Sequence, residues 1–156
     1  IANGVVAGAT ARMVVASAAY YLIVWLLPFG AVPHPATGWL AVFAGVLAGL
    51  AFGIPLMAYA GSIEDDKGQF ALVQRFLFMP MFLFSGTFYP LDSLPLWLQW
   101  IGWVSPLWHG AELGRVATYG AAVDPVMVTV HLVYLLALAV VGYLFARRVF
   151  TERLAK

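Results

Sequence analysis

From Met13 to Ile63 the chain carries no Lys, Arg, Asp or Glu, and Pro125 to Ala146 is likewise uncharged. This distribution constrains the fold more than any other feature. A helix rises about 1.5 Å per residue, and about 20 apolar residues cross a hydrocarbon core of about 30 Å. The first gap has room for two spans and the second for one. Only 10% of the residues are charged and 63% are hydrophobic, against roughly 25% charged in an ordinary soluble domain. A soluble globular fold is excluded on that ground. The net charge of +1, with no basic stripe beyond the C-terminal tail, gives no support for nucleic-acid binding. Cysteine is absent, which removes disulfides and thiolate metal sites.

The pattern predicts an all-α polytopic membrane protein with four transmembrane helices, at about 7–28, 38–60, 70–89 and 125–146. Arg12 lies in the first turns of the first span, with Tyr20, Tyr21 and Trp25 towards its far end. Pro28, Gly30, Pro33, Pro35 and Gly38 make an uncharged loop. The loop GSIEDDKGQ is the strongly charged interior loop, with Glu64, Asp65, Asp66 and Lys67. Arg75 opens the third span, and Pro80 in its middle, between Met79 and Met81, predicts a kink or a freed carbonyl. A polar cytoplasmic tail follows at 147–156. The opening Ile-Ala-Asn is neither a basic n-region nor a cleavage site, and reads as the start of a fragment of a longer membrane protein.

The segment Phe82–Arg115 is harder to place. It starts as a span, breaks at Tyr89-Pro90, and continues as an apolar stretch rich in tryptophan and punctuated by proline. Its uncharged part, Ser93 to Ala111, is long enough for a fifth span, but it holds Pro95, Pro106, Gly102, Gly110 and Gln99. Proline inside a helix removes a hydrogen bond and clashes with the preceding turn. Ser105-Pro106 reads as an N-cap followed by proline at the first helical position. The spacing predicts two short helices, about Leu94–Val104 and Pro106–Thr118, forming a re-entrant external helical hairpin over about 91–118. Charge supports re-entry. With four spans and a hairpin returning to its own side, Arg12, Lys67, Arg75, Arg147, Arg148, Arg153 and Lys156 share one face, and Arg115 alone lies opposite. Excess Lys and Arg marks the cytoplasmic face.

Few constellations suggest chemistry. Gly45, Gly49 and Gly53 form a small-residue face on the second span, suited to close helix packing within the chain or between two copies. His109 and Glu112 lie one helical turn apart, but a catalytic zinc site needs three protein ligands, and Leu113 stands where the metalloprotease pattern H-x-x-E-H needs histidine. Glu112 and Arg115 are also spaced to pair. No catalytic residue and no metal site is assigned. There is no phosphate loop of the G-x-x-x-x-G-K-[ST] type, so the chain has no means of hydrolysing ATP itself.

The stretches PMFLFSGTFYPLDSLPLWLQ (Pro80–Gln99) and SPLWHGAELGR (Ser105–Arg115) resemble the permease subunits of bacterial type-2 ATP-binding-cassette exporters. These include drug-efflux and lipo-oligosaccharide or nodulation-factor exporters. In that family a span ends in a Ser-Gly-x-Phe-Tyr-Pro-like turn, followed by two short external helices, a Pro-Leu-x-His turn and a last span. The resemblance implies that these four spans are the last four of six, so that the front of the permease, including the helix that helps dock the ATPase, is missing. It implies a subunit of the bacterial cytoplasmic membrane that moves an amphiphilic or hydrophobic substrate outward. It also implies partners: a cytoplasmic ATPase that holds ATP and Mg, and a second permease copy or homologue. Phe84, Phe88, Tyr89, Trp97, Trp100, Trp103, Trp108, His109 and Glu112 would then stand near the outer gate. Two alternatives remain open at this point: a membrane-embedded enzyme using His109 and Glu112, and a non-transporting assembly subunit working through the glycine face.

Overall fold

The computed structural model describes residues 2–27, 32–63 and 67–154. Pro28 and Gly30 of the first loop, the acids Glu64–Asp66 and Lys156 lie outside the described residues, as does the Arg153 side chain. Eight α-helical stretches occur among them: α1 (Ala2–Leu26), α2 (Pro35–Gly38), α3 (Leu40–Ser62), α4 (Gln69–Val73), α5 (Met79–Leu83), α6 (Leu96–Val104), α7 (Pro106–Tyr119) and α8 (Pro125–Leu154). No strand is found among the described residues, in line with the expected all-α class.

Three helices are long and apolar enough to cross a membrane: Asn3–Leu26, Pro35–Ser62 (α2 and α3 together) and Pro125–Glu152. The third expected span, 70–89, is different. Helix α4, a π-helical stretch (Gln74–Phe78) and α5 run end to end, five residues each. Together they rise about 22 Å, short of the roughly 30 Å core. The cause is local. Pro80 has no N–H to give the preceding turn, and the ladder widens just before it, with the Met79 N–H reaching the carbonyl of Gln74. The helix then ends at Leu83 rather than at Tyr89-Pro90. Ser85 Oγ donates to Phe82 O (2.8 Å), and Gly86 takes a left-handed φ of 72° that a side chain would strain.

The last helix is longer than expected. It continues through Leu154 rather than ending near Ala146. An Arg148–Glu152 pair at i,i+4 (3.0 Å) and a Thr151 hydroxyl bond to Arg147 O (2.8 Å) carry it into the polar tail.

α3 is the centre of the bundle, packing most extensively on α8, then on α7 and α1. Small residues allow this. A Cβ added to Gly110 of α7 would lie 2.5 Å from Ala48 Cβ, and one on Gly142 of α8 would lie 2.6 Å from the Pro55 ring. One core cluster joins Ala44, Ala48 and Ala51 of α3 to Leu113 of α7 and Leu135 of α8. A second joins Ile54 and Ala58 to Ala146, with Val6 and Tyr143 packed against it. The Gly45–Gly49–Gly53 face turns towards α1 of the same chain, where Met13 and Ser17 meet it. Outward-facing residues such as Val15, Phe76 and Val141 are large, apolar and exposed, which suits contact with lipid rather than water.

Candidate functional site

Two short helices occupy the segment that resisted a spanning assignment, and they break at Ser105-Pro106. Ser105 has the extended backbone of an N-cap, but its hydroxyl makes no capping bond and lies buried without a partner. The break is deep in the bundle. Val104 and Pro106 line one apolar cavity of about 520 Å³ with Ala51 and Pro55 of α3 and Tyr134 and Leu138 of α8. Tyr134 lies about 14 Å along α8 from its start at Pro125. From this depth α7 climbs to the opposite level, where the Thr37 hydroxyl donates to Ala117 O (2.8 Å) and the His34 N–H to Thr118 O (3.1 Å). There Gly120, at φ 63°, closes α7 against the His34 ring.

An abrupt chain reversal frees carbonyls, and in a membrane each needs a donor from the protein itself. The end of α6 finds them on the neighbouring helices. His109 Nε2 donates to Trp103 O (2.9 Å), and the Tyr134 hydroxyl donates to Val104 O (2.6 Å). The other His109 nitrogen, Nδ1, faces Nδ1 of His131 at 2.6 Å. Both imidazoles are buried. Tyr134 stacks on His109 with ring centres 4.1 Å apart, and Trp108 sets its edge towards both imidazoles.

The second polar group lies on the outer part of α7. Arg115 bridges the Glu112 carboxylate and the carbonyl of Gly86, tying α7 to the turn after α5. Beside it is a cavity of about 430 Å³ lined by Asp92, Gln99, Trp103, Trp108, Glu112 and Arg115, among others. The indole N–H of Trp108 is buried without a hydrogen-bond partner.

The residues expected at an outer gate therefore divide into groups. Trp103, Trp108 and Glu112 meet around the cavity. Trp97 and Trp100 lie with Trp103 on the exposed face of α6. Phe88 is exposed and sets its ring against Phe82 at 5.1 Å. Tyr89 is half-buried, and Phe84 turns its carbonyl towards Gly102, where Leu91 is also seated. His109 and Glu112 are not brought together as a pair. Each is held by a different partner: His109 by Trp103 O and His131, Glu112 by Arg115. Sequence reasoning missed His131, Tyr134, Gln99 and Asp92. The signal for His131 was present, since it is an ionisable residue inside an otherwise apolar span.

The sequence profile of the ABC-2 type transporter family matches residues 1–119. The probable multidrug ABC transporter permease YbhR of Escherichia coli strain K12 is 30% identical over 84 residues, covering 52% of this chain and 22% of that permease. The protein of the same name from Escherichia coli O157:H7 matches with the same values. The aligned stretch thus spans about a fifth of the curated relatives. No solved structure matches the chain. A profile covering most of the chain, together with three membrane-length helices, makes this a multi-pass membrane protein that belongs to the ABC-2 type transporter family.

Proposed function

We propose that the chain is the permease part of an ATP-driven exporter that moves an amphiphilic or hydrophobic substrate outward across the bacterial cytoplasmic membrane. The observation that carries this reading is the α6–α7 hairpin. It sets an exposed aromatic face (Trp97, Trp100, Trp103) beside a cavity that mixes indole rings with Asp92, Gln99, Glu112 and Arg115. Such a surface meets both ends of an amphiphile. The E. coli relative is a probable multidrug permease, which supports the substrate class. ATP and Mg are assigned to a separate cytoplasmic ATPase, a reading that membership of the ABC-2 family supports. A second permease copy or homologue completes the pathway, and ATP binding shifts it between two states of different substrate affinity.

An enzymatic role for His109 and Glu112 is disfavoured by the same geometry. A general base must reach a substrate proton, and here both side chains are engaged by protein partners. The test of the transport reading is reconstitution of the full-length permease with its ATPase in vesicles. ATP-dependent movement of an amphiphilic dye is expected. A permease that neither binds the ATPase nor supports such movement would falsify the proposal.

A further inference from the structure

The His109–His131 contact has a proton count that follows from its partners. A carbonyl only accepts, so the bond to Trp103 O requires a proton on His109 Nε2. In the neutral ring Nδ1 is then a bare acceptor, and the facing Nδ1 of His131 must donate. One added proton leaves the bond intact, because it occupies the far nitrogen of His131. Two added protons do not, since an N–H would then point at an N–H across 2.6 Å between two cations.

We propose that this pair is a one-proton latch: it holds the tip of the α6–α7 hairpin on α8 while at most one imidazole is charged, and releases it when both are. The rest of the surroundings leaves the pair to set this balance. α3 contributes Ala44, Ala48 and Ala51 to the core beside α7 and α8, none of them ionisable. α6 presents the carbonyls of Trp103 and Val104. α8 adds the Tyr134 phenol, which is engaged with Val104 O. On α7 itself Glu112 and Arg115 are paired with each other. Asp92 lines the adjoining polar cavity, whose wall includes Trp103 and the Trp108 ring that borders both histidines. Free imidazole changes charge between about pH 5 and about pH 8, so acidification across this range is the perturbation that tests the latch. The latch rests on the described contacts alone and does not depend on the transport reading.

The test uses the full-length permease in lipid nanodiscs, without substrate or ATPase, so its failure leaves the transport reading untouched. The described chain has no cysteine. Ser105→Cys places a thiol at the buried break, and Ser93→Cys serves as an exposed control. Maleimide labelling of the first, divided by that of the second, is expected to rise at least about fivefold from about pH 8 to about pH 5. His131→Asn keeps an N–H donor near the Nδ1 position and takes no charge, so labelling in that background stays low at both pH values. A ratio that does not change with pH in the parent, or a His131→Asn chain that responds like the parent, overturns the proposal. Amide exchange at Trp108 and His109, corrected for the intrinsic effect of pH, repeats the test without any substitution. Protection there that persists at about pH 5 refutes the latch as well.

Discussion

The seating of α7 on α3 can be tested by adding a single methyl group. A Cβ on Gly110 would come within 2.5 Å of Ala48 Cβ. Two carbons rest at about 3.5–4.0 Å, so Gly110→Ala forces the helices apart by roughly 1–1.5 Å. Neither methyl has a torsion through which to escape. Widening the gap also loosens Leu113, which is buried in the same cluster. Overpacking of this kind typically costs about 1–3 kcal/mol. Replacing helical glycine also brings a propensity gain of up to about 1 kcal/mol, which would blur a single measurement. Gly114 supplies the control. It lies one turn further along α7, and nothing stands within 4 Å of an added Cβ. The difference between Gly110→Ala and Gly114→Ala cancels the propensity term and isolates the clash. Denaturant or thermal unfolding of the full-length protein in detergent should therefore separate the two by about 1–3 kcal/mol. Ala48→Gly should restore most of the loss in the double variant. Equal stability of the two alanine variants, or no rescue by Ala48→Gly, would refute close packing of α7 on α3.

Three further outcomes are expected. Gly142→Ala drives a methyl to 2.6 Å from the Pro55 ring, which is rigid, so unfolding measurements should show a loss of about 1–3 kcal/mol. Glu112→Gln removes the charge that holds Arg115 against the Gly86 turn. The pair is partly exposed, at 31% and 20%, so the stability loss is on the order of 1 kcal/mol and should shrink with added salt. Trp97→Ala and Trp100→Ala remove side chains that are 71% and 57% exposed. Stability in detergent should stay within about 0.5 kcal/mol, while ATP-dependent dye movement by the reconstituted transporter falls.

The charge-free stretches sufficed to locate α1, α3 and α8, because length and apolarity are additive along a sequence. The break at Ser105-Pro106 was equally legible, since proline acts on its own backbone. The third span was not. Its shortening depends on the π-helical turn before Pro80 and on a reversal at Ser85-Gly86, which competed with the more obvious Tyr89-Pro90 signal. The continuation of α8 past Ala146 was missed because Arg147 and Arg148 read as tail, although Glu152 stands one turn beyond Arg148 to pair with it. In the candidate site, His109 and Glu112 were noticed for their mutual spacing. The structure gives each a partner that local spacing does not reveal: His131 lies far along the chain, and Arg115 also serves Gly86.

These polar side chains share a physical cause. Each departure from regular helix in an apolar segment frees a carbonyl that lipid cannot satisfy. The end of α6 is met by His109 and Tyr134, and the turn at Gly86 by Arg115. The start of α6 is met by the Gln99 amide on Leu94 O (2.8 Å), and the top of α7 by the Thr37 hydroxyl on Ala117 O. Much of what looked like site chemistry in the sequence is therefore the cost of building the α6–α7 hairpin. Substrate recognition would also draw on what this scaffold does not use. Among the described residues, that remainder includes the Trp108 indole N–H, buried and unpartnered at the edge of the Asp92–Glu112 cavity, and the indole faces exposed along α6. It follows that substitutions of the carbonyl-capping residues should act first on hairpin stability, whereas Trp108→Phe, which removes only the donor and one ring, should act first on substrate affinity. If Trp108→Phe lowers stability but leaves the dependence of transport on dye concentration unchanged, the division between scaffold and recognition surface is wrong.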